Sequence, residues 1–401
     1  MTDSRQEILN ILMRVQRDGS YASLLIRSAD IDEKDIGFVT ETVYGTIRNY
    51  ALLEYQWHRF AKKADLRTAL LLDMTLYQMH FMESVPAYAA VHEAVAMADK
   101  NKRGFVNAVL RSIQREGWQE PEELSVRLSH PEWILKMWSA HYGADTAEAI
   151  AMHDQQPSAV CGRMNTLLAD RQQLMEEGFS FLAHDCVVCG QPIQRTDAFR
   201  SGKVIIQGRS SQEVVRFLQA EPGMKVLDLC AAPGTKTQQI ACAMENRGEI
   251  TACDIYEQRT KLISDLMAKT GVSICQTKVN DASKPGAFAE KSFDRILMDV
   301  PCSGLGDLSH KPEIRWHLQP QDIDALVSLQ KQILDAGCAY VRENGILVYS
   351  TCTLNRKENE AQIMSFLQRH PEFEKEEERT IFPQDLDSDG FYVCRLRRKP
   401  L

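Results

Sequence analysis

From Lys225 onward the chain changes period. "KVLDLC", "GEITACD", "SICQTKV", "FDRILMDV" and "GILVYST" are short apolar runs, and between them stand the helical stretches "TKTQQIACAM", "YEQRTKLISDLMAKT" and "DALVSLQKQILDAGCAYV". Apolar strands alternating with helices fold as a parallel sheet covered on both faces. Ligands in such sheets bind beyond the carboxyl ends of the strands. Chemistry therefore belongs to the residues that follow each strand.

The residues before this region have another pattern. "QEILNILMRV", "IGFVTETVYGTIRNYALLEYQWHRF", "LRTALLLDMTLYQMHFM" and "AVHEAVAMADKNKRGFVNAVLRSIQ" carry apolar residues three and four apart, which predicts an all-helical N-terminal domain. Gly117, Pro121 and Pro131 punctuate its end. The expected division is a helical domain over 1–124, a linker and small α/β subdomain over 125–219, and the alternating α/β domain over 220–401. A chain of 401 residues is long enough for several cores.

Composition excludes some classes. No apolar run approaches the roughly 20 residues that span a bilayer, and "MTDSRQEILN" is acidic and polar, so a cytoplasmic protein without a membrane partner is expected. A net charge of −8 argues against nonspecific coating of nucleic acid. It leaves room for a local basic groove, with "NKR" at 101–103, "RLRRK" at 395–399, and Lys311 with Arg315 as candidates; each taken alone reads as a solvated face. The 11 cysteines are odd in number and spread along the chain, which suits small buried hydrophobes in a reducing compartment. Cys186 and Cys189 have C-x-x-C spacing but no second pair, so no metal is expected.

The sharpest local signal is "VLDLCAAPGTKT". A strand runs into small residues and Gly234 before a helix, which lets backbone approach a ligand and leaves helix N–H groups free. It is neither G-x-x-x-x-G-K-[ST] nor G-x-G-x-x-G, so no phosphate cradle is present. The next strand ends at Asp254, where a carboxylate can accept from a ribose diol; the following strand ends near Asp281, and Asp299 closes the fourth. Ordered acids without a phosphate cradle suit an adenosine with a positive sulfonium tail, S-adenosylmethionine.

Two turns carry one cysteine each: "MDVPCSG" holds Cys302 and "VYSTCTL" holds Cys352. Carbon 5 of a pyrimidine is a poor nucleophile. A thiolate adding to carbon 6 makes the ring enamine-like, able to take a methyl from a sulfonium. A base must then remove the carbon 5 proton so that the thiolate can leave. Two cysteines at neighbouring strand ends meet both needs, and spacing alone leaves either as the attacker. Turn residues Pro301, Ser303, Thr351 and Thr353 count against two purely structural thiols.

"DLCAAPGTKT", "DVPCSGLG", "YSTCTLNRKENE" and "DGFYVCRL" resemble the RNA 5-methylcytosine methyltransferase family over about 130–401, and "AVHEAVAMADKNKRGFVNAVL" resembles the RNA-binding domain of the antitermination factor NusB. The two in this order resemble the B type of bacterial 16S ribosomal RNA cytosine-C5 methyltransferases. The resemblance implies a multidomain chain: an all-α NusB-like domain followed by a Rossmann-like class I domain that uses S-adenosylmethionine. It implies Cys352 as nucleophile, Cys302 as the group assisting release, and Asp299 beside the cytosine. It assigns donor binding to Cys230, Ala231, Ala232, Pro233, Gly234, Thr235, Lys236, Asp254, Asp281 and Asp299, with Arg259 in the same segment. The rival attacker is Cys302, as in DNA cytosine methyltransferases.

In "VIIQGRSSQ" the family usually has an acid after the glutamine where this chain has Gly208, which puts that loop's support of the donor or substrate pocket in question. An unpaired or extruded target base needs positive charge to hold its phosphates. Lys311 and Arg315 with Trp316 in "HKPEIRW", and Lys102 and Arg103 in "NKRGFVN", are the expected RNA contacts, with 16S ribosomal RNA as partner and a monomeric enzyme. The alternatives are the same chemistry on transfer RNA, or an RNA-binding protein with an inactive methyltransferase fold.

Overall fold

The computed structural model describes residues 4–157 and 160–400. Contacts divide the chain into two units: 1–157 with 308–318, and 158–307 with 319–401. Among the described residues no helix is long and apolar enough to cross a membrane.

The first unit is helical. Ser4–Asp18 buries Ile8, Leu9, Ile11, Leu12 and Val15 at helical spacing, and Leu66–Phe81 is buried on nearly every side. The Asp65 side chain caps this second helix by accepting from the Thr68 N–H. Burial all round brings Asp73 into the core, where burial holds its carboxyl well above the usual range while it accepts from Trp57 Nε1 at 2.8 Å. Helix Ile36–Arg48 crosses close by: a Cβ on Gly45 would run into the Tyr77 ring.

Helices Leu124–Arg127, Glu132–Tyr142 and Ala144–His153 group by contacts with the helical unit. Part of the join is a bond from the Ala51 N–H to Ser129 Oγ. One expectation is corrected in this unit: Arg315 is not a phosphate contact. It is 0% exposed, and its guanidinium donates to the carbonyls of Ser129, Leu308 and Asp154. Its neighbours serve the same packing. Trp316 Nε1 donates to the Ile47 carbonyl at 2.9 Å, and buried Glu313 accepts from the first N–H of helix Ala22–Ser28. Lys311 is exposed.

Lys102 and Arg103 lie at the start of helix Arg103–Glu116. Lys102 pairs with Asp65 and Asp99, each at 3.0 Å. Arg103 donates to the carbonyls of Ala98 and Ala96.

The second unit holds two sheets. The smaller is antiparallel, built from β1 (Gly162–Met164), β2 (Phe179–Ala183), β3 (Cys186–Cys189) and β4 (Val204–Ile206) in the order β2-β3-β1-β4. The larger contains β5 (Lys225–Asp228), β6 (Glu249–Asp254), β7 (Cys275–Val279), β8 (Phe293–Asp299), β9 (Val341–Thr351), β10 (Phe373–Ile381) and β11 (Phe391–Arg398). Its order is β10-β11-β9-β8-β5-β6-β7, with β5 to β9 parallel and β11 antiparallel to both neighbours.

Alternation along β5 sends Val226 to one face and Leu227 to the other. Val226 joins the core with helices Arg209–Leu218 and Thr235–Ala243, and Leu227 the core with Pro320–Gly337 and Glu360–Arg369. The chain runs from β5 to β6 and β7 on one side, then returns to place β8 on the other side of β5. This reversal opens a crevice beyond the carboxyl ends of β5 and β8.

Candidate active site

The crevice is lined first by the loop after β5. The Leu229 N–H bonds the Leu297 carbonyl and the Ala231 N–H bonds that of Cys253, which ties the loop to strands on both sides. The Gly234 N–H closes a turn on the Ala231 carbonyl at 2.7 Å. Gly234 has φ +105°, a left-handed conformation that favours glycine, and helix Thr235–Ala243 starts immediately after it. A Cβ there would press on Ile263 and Leu266.

Carboxylates stand at the strand ends. Asp254 is nearly buried, accepts from the Tyr256 N–H at 3.3 Å and pairs with Arg259 Nε at 3.5 Å. Arg259 also donates to the Ala232 carbonyl, so it links the end of β6 to the loop after β5. Asp281 accepts from the Ser283 hydroxyl and N–H and pairs with Lys284; the hydroxyl bond is the main cause of its lowered pKa. Asp228 was not anticipated. One of its oxygens accepts from the Thr237 hydroxyl at 2.8 Å, and burial pushes its carboxyl up to about 7.

Asp299 ends β8 with both oxygens engaged. Oδ2 accepts from Lys236 Nζ at 2.8 Å and Oδ1 from the Ser350 hydroxyl at 2.7 Å. Burial works against the Lys236 charge, yet the Asp299 carboxylate, Cys352 and Asp228 together raise its pKa. It is a fixed ammonium beside a fixed carboxylate.

Asp299 and Ser350 are register partners on parallel β8 and β9. The chain past each strand therefore delivers Cys302 and Cys352 side by side, with sulfurs 3.4 Å apart and both thiols free. The bond to Cys352, then burial, then the charges of Cys352 and Glu358 hold the Cys302 thiol well above its ordinary pKa. The Gly306 N–H bonds the Cys352 carbonyl at 3.0 Å, which joins the two turns by backbone.

Beneath the cysteines lies a polar cluster that falls within "YSTCTLNRKENE". Glu358, Asn359, Asn355 and Thr353 are all 0% exposed. Asn359 accepts from the Thr351 hydroxyl and donates to the Thr353 carbonyl, so it fixes the backbone on either side of Cys352. Ser303 and Thr353, each one residue past its cysteine, share a hydroxyl bond of 2.7 Å. The available signal was a dense polar run directly ahead of an apolar helix.

Gly208 caps helix Arg209–Leu218. A Cβ there would lie 2.8 Å from Asp389 Oδ2. An acid at 208 would meet both a clash and a like charge.

Residues 215–397 match the family described as 16S rRNA methyltransferase RsmB/F, 2–115 the NusB family, and 130–187 the RsmF/B-like ferredoxin-like domain. The chain is 36% identical to the probable ribosomal RNA small subunit methyltransferase B of Bacillus subtilis, covering 99% of each. A crystal structure described as PH0851 superposes with TM-score 0.82 at 22% identity, over 99% of this chain and 100% of that one. NSun6 from Pyrococcus horikoshii, solved with SFG, superposes with TM-score 0.62 at 20% identity, over 68% of this chain and 99% of that one.

The Gly234 cradle, the N-terminus of the following helix, which no side chain caps, and the strand-end carboxylates fit an adenosyl sulfonium donor, and the chain is an S-adenosylmethionine-dependent methyltransferase. It belongs to the family of ribosomal RNA small subunit methyltransferases B.

Proposed function

We propose that the protein methylates carbon 5 of a cytosine in 16S ribosomal RNA, with Cys352 as nucleophile and Cys302 as the group that frees the product. The pair of sulfurs 3.4 Å apart, next to the Lys236–Asp299 pair, carries this reading. The names of the relatives, ribosomal RNA small subunit methyltransferase B, support the substrate.

S-Adenosylmethionine, when bound, supplies the methyl group as its sulfonium carbon and leaves as S-adenosylhomocysteine. The protein prepares the acceptor. Cys352 as thiolate adds to carbon 6, and the electron pair shifts toward carbon 5. Asp299 and Lys236 hydrogen-bond the polar edge of the ring and stabilise the charge that develops on attack. Carbon 5 then carries both a methyl group and a hydrogen. With Cys352 bonded to carbon, its hydrogen bond and charge no longer raise the Cys302 thiol, which leaves burial and the Glu358 charge. Cys302 releases its own proton to solvent and, as thiolate, takes the carbon 5 proton; the ring double bond reforms and the carbon–sulfur bond breaks, with Cys352 leaving as thiolate.

Asp254, with Arg259 and the loop Cys230–Lys236, holds the donor, and Asp281 borders it. Lys102, Arg103 and Lys311 contact RNA phosphates around a base taken out of its stack. The enzyme works as a single chain in the cytoplasm.

Incubation with labelled methyl donor and separate ribosomal and transfer RNA pools tests the reading. Label as 5-methylcytosine in 16S RNA is the expected result. Label confined to transfer RNA, or none, would overturn it.

A further inference from the structure

We propose that Glu358 is a positioning residue: its carboxylate gathers the turns carrying the two cysteines and sets the Cys302 sulfur against that of Cys352. Oε2 accepts from the Ser303 N–H at 2.9 Å and from Gln330 Nε2 at 3.0 Å, while Oε1 accepts from the Ser303 hydroxyl at 2.5 Å and Asn355 Nδ2 at 3.1 Å. Four neutral donors converge on one carboxylate, which is acceptor on both oxygens. A glutamine amide would turn its own N–H groups toward donors.

The grip falls on both sides of Cys302. Glu358 takes the N–H of the following residue, while Gln330, which also holds Glu358, donates to the carbonyl of preceding Pro301 at 2.9 Å. Through the Ser303–Thr353 hydroxyl bond it reaches the residue after Cys352. A buried carboxylate with neutral partners is costly unless every lone pair is used. Here the set of donors comes largely from the two catalytic turns and their flanks. The Glu358 charge also favours the protonated thiol at Cys302.

The consequence for turnover rests on the reading that Cys302 frees the product; the positioning itself does not. Two readouts on Glu358→Gln separate them. Diamide takes up two hydrogen atoms as two thiols join in a disulfide, so the rate at which the peptides of 302 and 352 become linked, followed by mass spectrometry, reports how the sulfurs are held. Linkage should fall at least about tenfold in the variant, because small misplacements cost large factors in intramolecular reactions. Donor affinity, measured by calorimetry on the same sample, should stay within about threefold and certify the fold. A linkage rate equal to wild type, with donor binding intact, overturns the proposal. Should Glu358→Gln fail to fold, Gln330→Ala, which removes the brace on Pro301 and Glu358, must slow the same linkage. Wild-type linkage there overturns the proposal equally. Slowed linkage with accumulated protein–RNA adduct upholds both inferences. Slowed linkage without adduct upholds the positioning and places the fault in the role given to Cys302.

Discussion

Lys236 Nζ lies 2.8 Å from Asp299 Oδ2, joining helix Thr235–Ala243 to the end of β8. If the two stabilise one developing charge as a unit, their losses will not multiply. Lys236→Ala and Asp299→Ala should each slow single-turnover methyl transfer by about 100-fold, and the double variant should be little slower than either. Multiplying effects in single-turnover assays would contradict this.

Arg315 should behave as a structural residue. Arg315→Ala leaves the carbonyls of Ser129, Leu308 and Asp154 without their donor in a buried setting, and should cost about 3 kcal/mol or more of stability in the helical unit. Thermal unfolding checks the loss. The salt dependence of RNA affinity in protein that remains folded should match wild type, whereas a lost phosphate contact would lower the slope by about 1.

The raised Asp228 carboxyl gives a pH signature. Its folded value of about 7 lies above the unfolded value of about 4, so the group favours folding fully below pH 4 and loses that contribution as pH rises through 7. Asp228→Asn stays neutral and keeps an acceptor for Thr237. Its Tm relative to wild type should therefore climb between pH 5 and about 8. A constant difference across that range would show that the group is not held neutral.

Gly306 and Gly390 pack backbone against backbone between the Cys302 turn and the start of β11. A Cβ on Gly306 would strike the Gly390 carbonyl. Gly306→Ala should destabilise by about 1–3 kcal/mol and disturb both cysteine turns, since the Gly306 N–H also holds the Cys352 carbonyl. Denaturant unfolding with methyl-transfer assays checks both effects.

The sequence makes the sheet legible because strand and helix periods alternate cleanly from Lys225, and the motif after β5 and the acids at Asp254 and Asp299 follow from where parallel strands must end. The closeness of Cys302 and Cys352 is also readable once β8 and β9 are neighbours. Arg315 is not: a basic residue beside Trp316 looks the same in sequence whether it faces RNA or a buried carbonyl. Its acceptors Ser129 and Asp154 lie far upstream and meet it only in the fold. Glu358 is hidden for a related reason, since Ser303 and Gln330 reach it from separate elements.

The division of labour between the sulfurs is tested most directly by denaturing electrophoresis of Cys352→Ala and Cys302→Ala after incubation with RNA and donor. Cys302→Ala should run as a covalent protein–RNA species and Cys352→Ala should run free, with no methyl transfer and donor binding retained. A covalent species with Cys352→Ala and none with Cys302→Ala would contradict the account.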